Sequence, residues 1–210
     1  MSFLIICLTL LLPLANAHFS VTYPYWRGDS FATQWERPCG GVNVTSNRTE
    51  WPLDGGSVLF KPSHPWAITY VNLGLGSDES VVFNISLIEG FNQTGNGTLC
   101  FPKVPIPSDL GLATGANASI QIIQLTELGS ALYNCADITL SEDAKLLSDD
   151  QCTNSTGIGW QHLEGDASTT GSAPSPTPSA GAGSTLLIGQ PVMNIGLCAV
   201  AAMWLGQWLL

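Results

Sequence analysis

Ser80–Ile88 reads SVVFNISLI, and its alternation decides what kind of element it forms. Val81, Phe83, Ile85 and Leu87 fall on one face and Asn84 and Ser86 on the other, the period of two that a half-buried strand requires. Asn84 also opens an Asn-Ile-Ser sequon, so its side chain is expected to point to water. Phe19, Val21 and Tyr23 alternate in the same way. Ala67–Leu73 reads as a buried strand, and Ile120–Leu125 and Tyr133–Leu140 add two more, with Gly and Pro clusters between the runs. Ser141–Leu147 is expected to give a turn or two of helix, with Ser141 as N-cap and Glu142 and Asp143 in its first turn. Several short strands in a domain of this size predict an all-β fold, a two-sheet sandwich of immunoglobulin-like or fibronectin-like kind.

Outward from this domain the chain changes character at both ends. Phe3–Ala15 is apolar, too short to span a bilayer, and runs into Ala15-Asn16-Ala17, so residues 1–17 read as a signal peptide cleaved after Ala17. Residues 164–184 hold 19 Gly, Ala, Ser, Thr or Pro among 21, a composition that cannot bury enough apolar surface to order itself and reads as a stalk. Val192–Leu210 is almost wholly apolar, and no basic cluster follows it. With the small residues Ser179, Ala180, Gly181, Ala182 and Gly183 upstream as the bracket for an ω site, residues 185–210 read as a GPI-attachment signal that is removed. The expected organisation is therefore a signal peptide, a sandwich domain over 18–163, a stalk over 164–184 and a discarded tail. The expected location is the outer leaflet of the plasma membrane, or the cell wall.

Cys7 and Cys198 belong to the two ends, which leaves Cys39, Cys100, Cys135 and Cys152 to form two disulfides by any of three connectivities. Seven sequons, at Asn43, Asn47, Asn84, Asn92, Asn96, Asn117 and Asn154, mark a secreted glycoprotein surface. Six Lys and Arg against sixteen Asp and Glu give a net charge of -10, which leaves no basic patch for phosphates and excludes nucleic acid as a partner. No nucleophile elbow, P-loop, HExxH helix or calcium loop of alternating acids occurs, so hydrolase and phosphoryl-transfer chemistry has no motif. Trp26, Trp35, Trp51 and Trp66 could stack on sugar rings, but filling the core is the default role for such residues.

Cleavage after Ala17 would make His18 the first residue, placing an α-amine and an imidazole where both can reach one metal ion. The amine's reference pKa of about 7.7 to 8.0 lets it lose a proton far more readily than lysine. His64 lies between Pro62-Ser63 and Pro65-Trp66, where two prolines stiffen the loop around one imidazole. His162, beside Trp160 and the stalk, is the weaker candidate. Two imidazoles and an amine could bind one ion in a planar T, and tetragonal nitrogen ligation favours Cu(II) over zinc or calcium.

An N-terminal His after cleavage, a distant internal His, a β-sandwich and a stalk with a GPI signal together resemble fungal copper proteins related to lytic polysaccharide monooxygenases (LPMOs). The closer resemblance is to their short GPI-anchored branch, the copper acquisition factors of the BIM type. The resemblance implies a histidine brace made by His18 and His64, with Asp137, in Tyr133-Asn134-Cys135-Ala136-Asp137, in the metal position that Tyr or Phe takes in monooxygenases. It implies a non-catalytic protein that captures one Cu(II) ion at the cell surface and passes it toward a plasma-membrane copper transporter. A stalked anchor would raise the local concentration of bound metal there. Two alternatives stand beside it: a copper-dependent monooxygenase acting on cell-wall polysaccharide, and a wall or adhesion module that binds no metal.

Overall fold

The computed structural model describes residues 18–163; the expected signal peptide, stalk, ω site and tail lie outside the described residues. Nine strands run through them: β1 (Phe19–Tyr23), β2 (Thr49–Pro52), β3 (Gly55–Pro62), β4 (Trp66–Leu75), β5 (Ile85–Thr94), β6 (Leu99–Pro105), β7 (Asn117–Thr126), β8 (Ala131–Ser141) and β9 (Gly159–His162). One 3-10 turn, Ser108–Leu110, follows β6. A three-stranded sheet has the order β1-β3-β6, and a six-stranded sheet has the order β2-β8-β7-β4-β5-β9. All pairings are antiparallel except β2 on β8.

The two sheets face each other across one apolar core. Phe19, Val21, Val58, Phe60, Leu99 and Phe101 come from the small sheet, and Val71, Leu73, Phe91, Ile120, Ile122, Ala136, Ile138 and Leu140 from the large one. On the large sheet these residues recur at every second position, as the inner face of a sandwich requires, while the outer face of β7 and β8 is itself largely buried. β3, the central strand of its sheet, is buried at every position but Lys61. Trp51 is fully buried, and its indole N–H donates to the Ser57 carbonyl at 3.0 Å. Gly56 is the residue that lets it lie there, since a Cβ would come within 2.6 Å of the indole ring. Trp51 is thus a core residue and not a sugar platform, whereas Trp35 is 60% exposed.

The all-β sandwich expected from the alternation is the fold found, with differences at particular elements. Ala67–Leu73 lies within β4, but it alternates between buried and half-buried positions instead of being buried on both faces. Ser80–Ile88 keeps its two faces, yet its first half is not a strand. Val81 N donates to Asp78 O and Asn84 N to Val82 O, turn bonds that delay β5 to Ile85. Ser141–Leu147 forms no helix: the Ser141 hydroxyl does accept from Asp143 N at 3.2 Å, but Leu147 N is drawn off to Ser57 Oγ at 2.9 Å. A side-chain partner across the fold wins over a local helical turn.

The four domain cysteines pair as Cys39–Cys135 and Cys100–Cys152, one of the three connectivities left open by the sequence. The first ties the long loop 24–48 to β8. That loop covers the part of the β8 edge that β2 does not reach: Tyr133 N donates to Gln34 O at 2.7 Å and Arg27 N to Cys135 O at 2.9 Å. Five of the seven sequon asparagines are exposed; Asn92 and Asn117 are half-buried, and Asn117 Oδ1 accepts from Thr139 Oγ1.

Candidate metal centre

His18 enters β1 at one end of the sandwich, and the register Phe19↔Pro62 brings it beside the end of β3. His18 N donates to Ser63 Oγ at 3.0 Å, Ser63 N donates back to His18 O at 3.1 Å, and Ser63 Oγ also donates to that carbonyl. The next peptide is held from the other side. Gln34, fully buried, accepts from Phe19 N at 3.0 Å and donates to Phe19 O at 2.7 Å, and Asn134 Nδ2 adds a second donor to that oxygen at 2.8 Å. The His18 ring meets Phe31 edge-on at 5.5 Å, and Phe31 in turn meets Trp26 at 5.6 Å. Loop 24–48 therefore fixes both the backbone and the ring of the first domain residue.

The His64 loop is pinned on both flanks. Gly97 N donates to Pro62 O at 3.1 Å, Gly95 N donates to Pro65 O at 2.8 Å, and Gln93 Nε2 donates to His64 O at 3.3 Å. Gly95 has a φ of +76°, and a Cβ there would come within 2.2 Å of the Gly157 carbonyl, so only glycine allows this approach. Behind it lies a buried polar layer in which Gln124 Nε2 donates to both Gln93 Oε1 and Thr69 Oγ1 at 3.2 Å. His64 itself is 3% exposed. Its Nδ1 is 3.4 Å from Glu127 Oε2, and its buried Nε2 has no hydrogen-bond partner. Buried polar atoms are nearly always paired, so an orphaned imidazole nitrogen points to a ligand or an ion.

Asp137 is placed differently. Leu132, Asn134, Ala136 and Ile138 of β8 point toward the small sheet, so Asp137 shares the opposite face with Tyr133 and Cys135. It is fully buried there, and its partner is Arg27. Oδ1 accepts from Arg27 Nε at 3.1 Å, Arg27 Nη2 at 3.0 Å and Ser119 Oγ at 2.6 Å, and Oδ2 accepts from Thr45 N at 2.8 Å. Three donors crowd Oδ1 and one reaches Oδ2, so the charge of this carboxylate is answered by a buried guanidinium of the same chain. The structure thus brings His18 and His64 onto adjoining segments and leaves Asp137 outside that group. His162 also stands apart, exposed on the edge strand β9 with its ring against Trp160 at 5.0 Å. Among the described residues no three or more His, Cys, Asp and Glu side chains cluster as a set able to hold a metal ion.

Glu127 is the residue that reading the sequence missed. It lies in the turn from β7 to β8, in Thr126-Glu127-Leu128-Gly129, where an acidic residue is unremarkable. Only the β4–β7 register, Ala67↔Thr126, carries it to the foot of β4, two residues past His64. A local pattern could not have signalled this contact.

Comparison with known proteins agrees on one theme. A family model described as Copper acquisition factor BIM1-like matches residues 16–157. The lytic polysaccharide monooxygenase-like protein X325 of Aspergillus fumigatus is 34% identical over 229 residues, covering 90% of this chain and 92% of its own. The lytic polysaccharide monooxygenase-like protein ham-7 of Neurospora crassa is 38% identical over 71% of this chain and 77% of its own. Copper acquisition factor BIM1 of Cryptococcus neoformans var. grubii is 30% identical over 71% and 72%.

Proposed function

Because this chain belongs to the family of BIM1-like copper acquisition factors, we propose that it is a non-catalytic Cu(II)-binding protein of the cell surface, whose cargo is held by the His18 amine, the His18 imidazole and His64 Nε2. The amine exists as a ligand only once the chain has been cut after Ala17. The observation that carries this reading is the buried, unpartnered Nε2 of His64 on the segment hydrogen-bonded to His18. Three nitrogens and no thiolate suit Cu(II) in preference to Cu(I), zinc or calcium. The net charge of -10 draws cations toward the surface, though weakly at physiological salt. A GPI anchor on the stalk would keep the loaded domain near a plasma-membrane copper importer that receives the ion.

The test is a Cu(II) titration of the metal-stripped domain beginning at His18, beside one that keeps Ala17 and one carrying His64→Ala. We expect a tight one-to-one site in the first and a loss of it in the other two, because an amide nitrogen cannot replace the amine and a methyl group cannot replace the imidazole. Binding that survives both changes would remove the reading and leave a glycosylated wall module. The relatives named monooxygenase-like motivate a second assay, incubation with chitin, cellulose or glucans and a reductant. Oxidised oligosaccharides in that assay would turn the site into an enzyme's.

A further inference from the structure

A neutral imidazole carries one N–H and one lone pair, and the partner of one nitrogen decides which of them the other presents. At His64 the two nitrogens meet opposite surroundings. Nδ1 faces the Glu127 carboxylate at 3.4 Å, and Nε2 is buried with no partner. An ionised carboxylate accepts and cannot donate, so it favours the proton on Nδ1. Nε2 lacks a partner whether it carries the proton or the lone pair, so the carboxylate at Nδ1 is what separates the two tautomers in the metal-free domain.

We infer that Glu127 is a positioning residue of the copper site: its carboxylate fixes His64 as the Nδ1–H tautomer and so aims the bare lone pair of Nε2 at the cupric ion. The arrangement is a carboxylate–histidine–metal relay, in which the outer carboxylate also sets the ring's orientation and raises the basicity of the ligating nitrogen. Glu127 is well placed for this role and poorly placed to be a ligand itself, since the two ring nitrogens point to opposite sides of the imidazole. Its side chain is 38% exposed, so it is carried by the turn and not needed by the core. This inference rests on the reading that His64 binds the ion, but the tautomer is a property of the metal-free domain and can be read without copper.

The experiment is long-range proton–nitrogen NMR of the metal-free, nitrogen-15-labelled domain, recorded well above the ordinary imidazole titration range, followed by Cu(II) titration. In the wild type we expect a protonated Nδ1 and a bare Nε2 at His64. Glu127→Ala should mix the tautomers and weaken Cu(II) binding by about 10- to 100-fold. Glu127→Gln, whose carbonyl oxygen can still accept from Nδ1, should keep the tautomer and most of the affinity. A wild-type Nε2–H tautomer, or Glu127→Ala leaving tautomer and affinity unchanged, would overturn the inference. So would Glu127→Gln keeping the tautomer but binding copper as poorly as Glu127→Ala, because the charge would then act on the ion directly. Copper binding that is indifferent to His64→Ala would sink the site itself, whatever the tautomer.

Discussion

Two buried polar centres, one on β8 and one in the turn between β3 and β4, differ in whether their atoms are satisfied. Around Asp137 every charge has its answer: Arg27 is 3% exposed, and its guanidinium is shared between Asp137, Ser119 and the Val42 carbonyl. Around His64 the ring nitrogen Nε2 has no partner, and in the polar layer behind it Gln124 Oε1 is left open as well. A closed network holds a structure together, whereas an open one holds a place for something else. The lesson concerns carboxylates in particular. Asp137 stands next to a cysteine in a motif that resembles a metal-binding position, yet what it grips is loop 24–48, through Arg27 and Thr45 N.

The sharpest way to break this contrast is to mutate one residue from each centre. Asp137→Ala leaves Arg27 charged and buried without its partner, a change that typically costs about 3–5 kcal/mol, measurable as a lower denaturant midpoint. The fraction that remains folded should still bind one Cu(II). His64→Ala should do the reverse, abolishing the copper site while shifting stability by about 1 kcal/mol, since no hydrogen bond of its ring holds the fold together. If Asp137→Ala removed copper binding from fully folded protein, the two centres would be one.

A smaller effect is expected from the Cys39→Ser, Cys135→Ser double variant. The disulfide spans a sequence separation of 96 residues, and its removal should cost about 2–5 kcal/mol by denaturant melts. Because loop 24–48 carries Gln34 and Phe31 to His18, copper affinity should also fall, although no ligand has been touched. Unchanged affinity in the folded double variant would mean that the loop covers β8 without positioning His18.

The sandwich could be read from the sequence where one face of a strand is wet, because alternation exists only there. Phe19–Tyr23 announced itself for that reason, whereas Ile120–Leu125, buried on both faces at most positions, was read from its apolar residues between turn signals. Gly55–Pro62 did not announce itself, since a central strand covered on both sides carries no period. The sequence singled out His18 and His64 by their chemistry, one after a small-x-small motif and one between prolines, and the structure brings their two segments together. The true partner of Asp137 was not, because Arg27 lies 110 residues away and its approach depends on how a 25-residue loop folds over a sheet edge. Glu127 was hidden for the same kind of reason: strand register made the contact, and register emerges only when all the pairings are laid down together.

The smallest expected effect comes from the same pair of charges set in water. Lys103 Nζ lies 2.5 Å from Asp54 Oδ2, with side chains 44% and 75% exposed, and this hydrogen bond holds the Asp54 carboxyl below the ordinary carboxylate range. The sign follows from that direction. A carboxyl with a lowered folded-state pKa stabilises the fold above its unfolded value of about 3.9, and the contribution disappears as pH falls through the lowered value. Lys103→Met should therefore narrow the gap between neutral and acid stability only slightly, and added salt should erase the difference at neutral pH, because exposed pairs are screened and contribute little. Denaturant melts at neutral and acid pH, with and without salt, measure this directly. Should Lys103→Met prove as costly as Asp137→Ala, burial would not be what separates a structural ion pair from an ornamental one, and the contrast between the satisfied and the open centre would lose its physical basis.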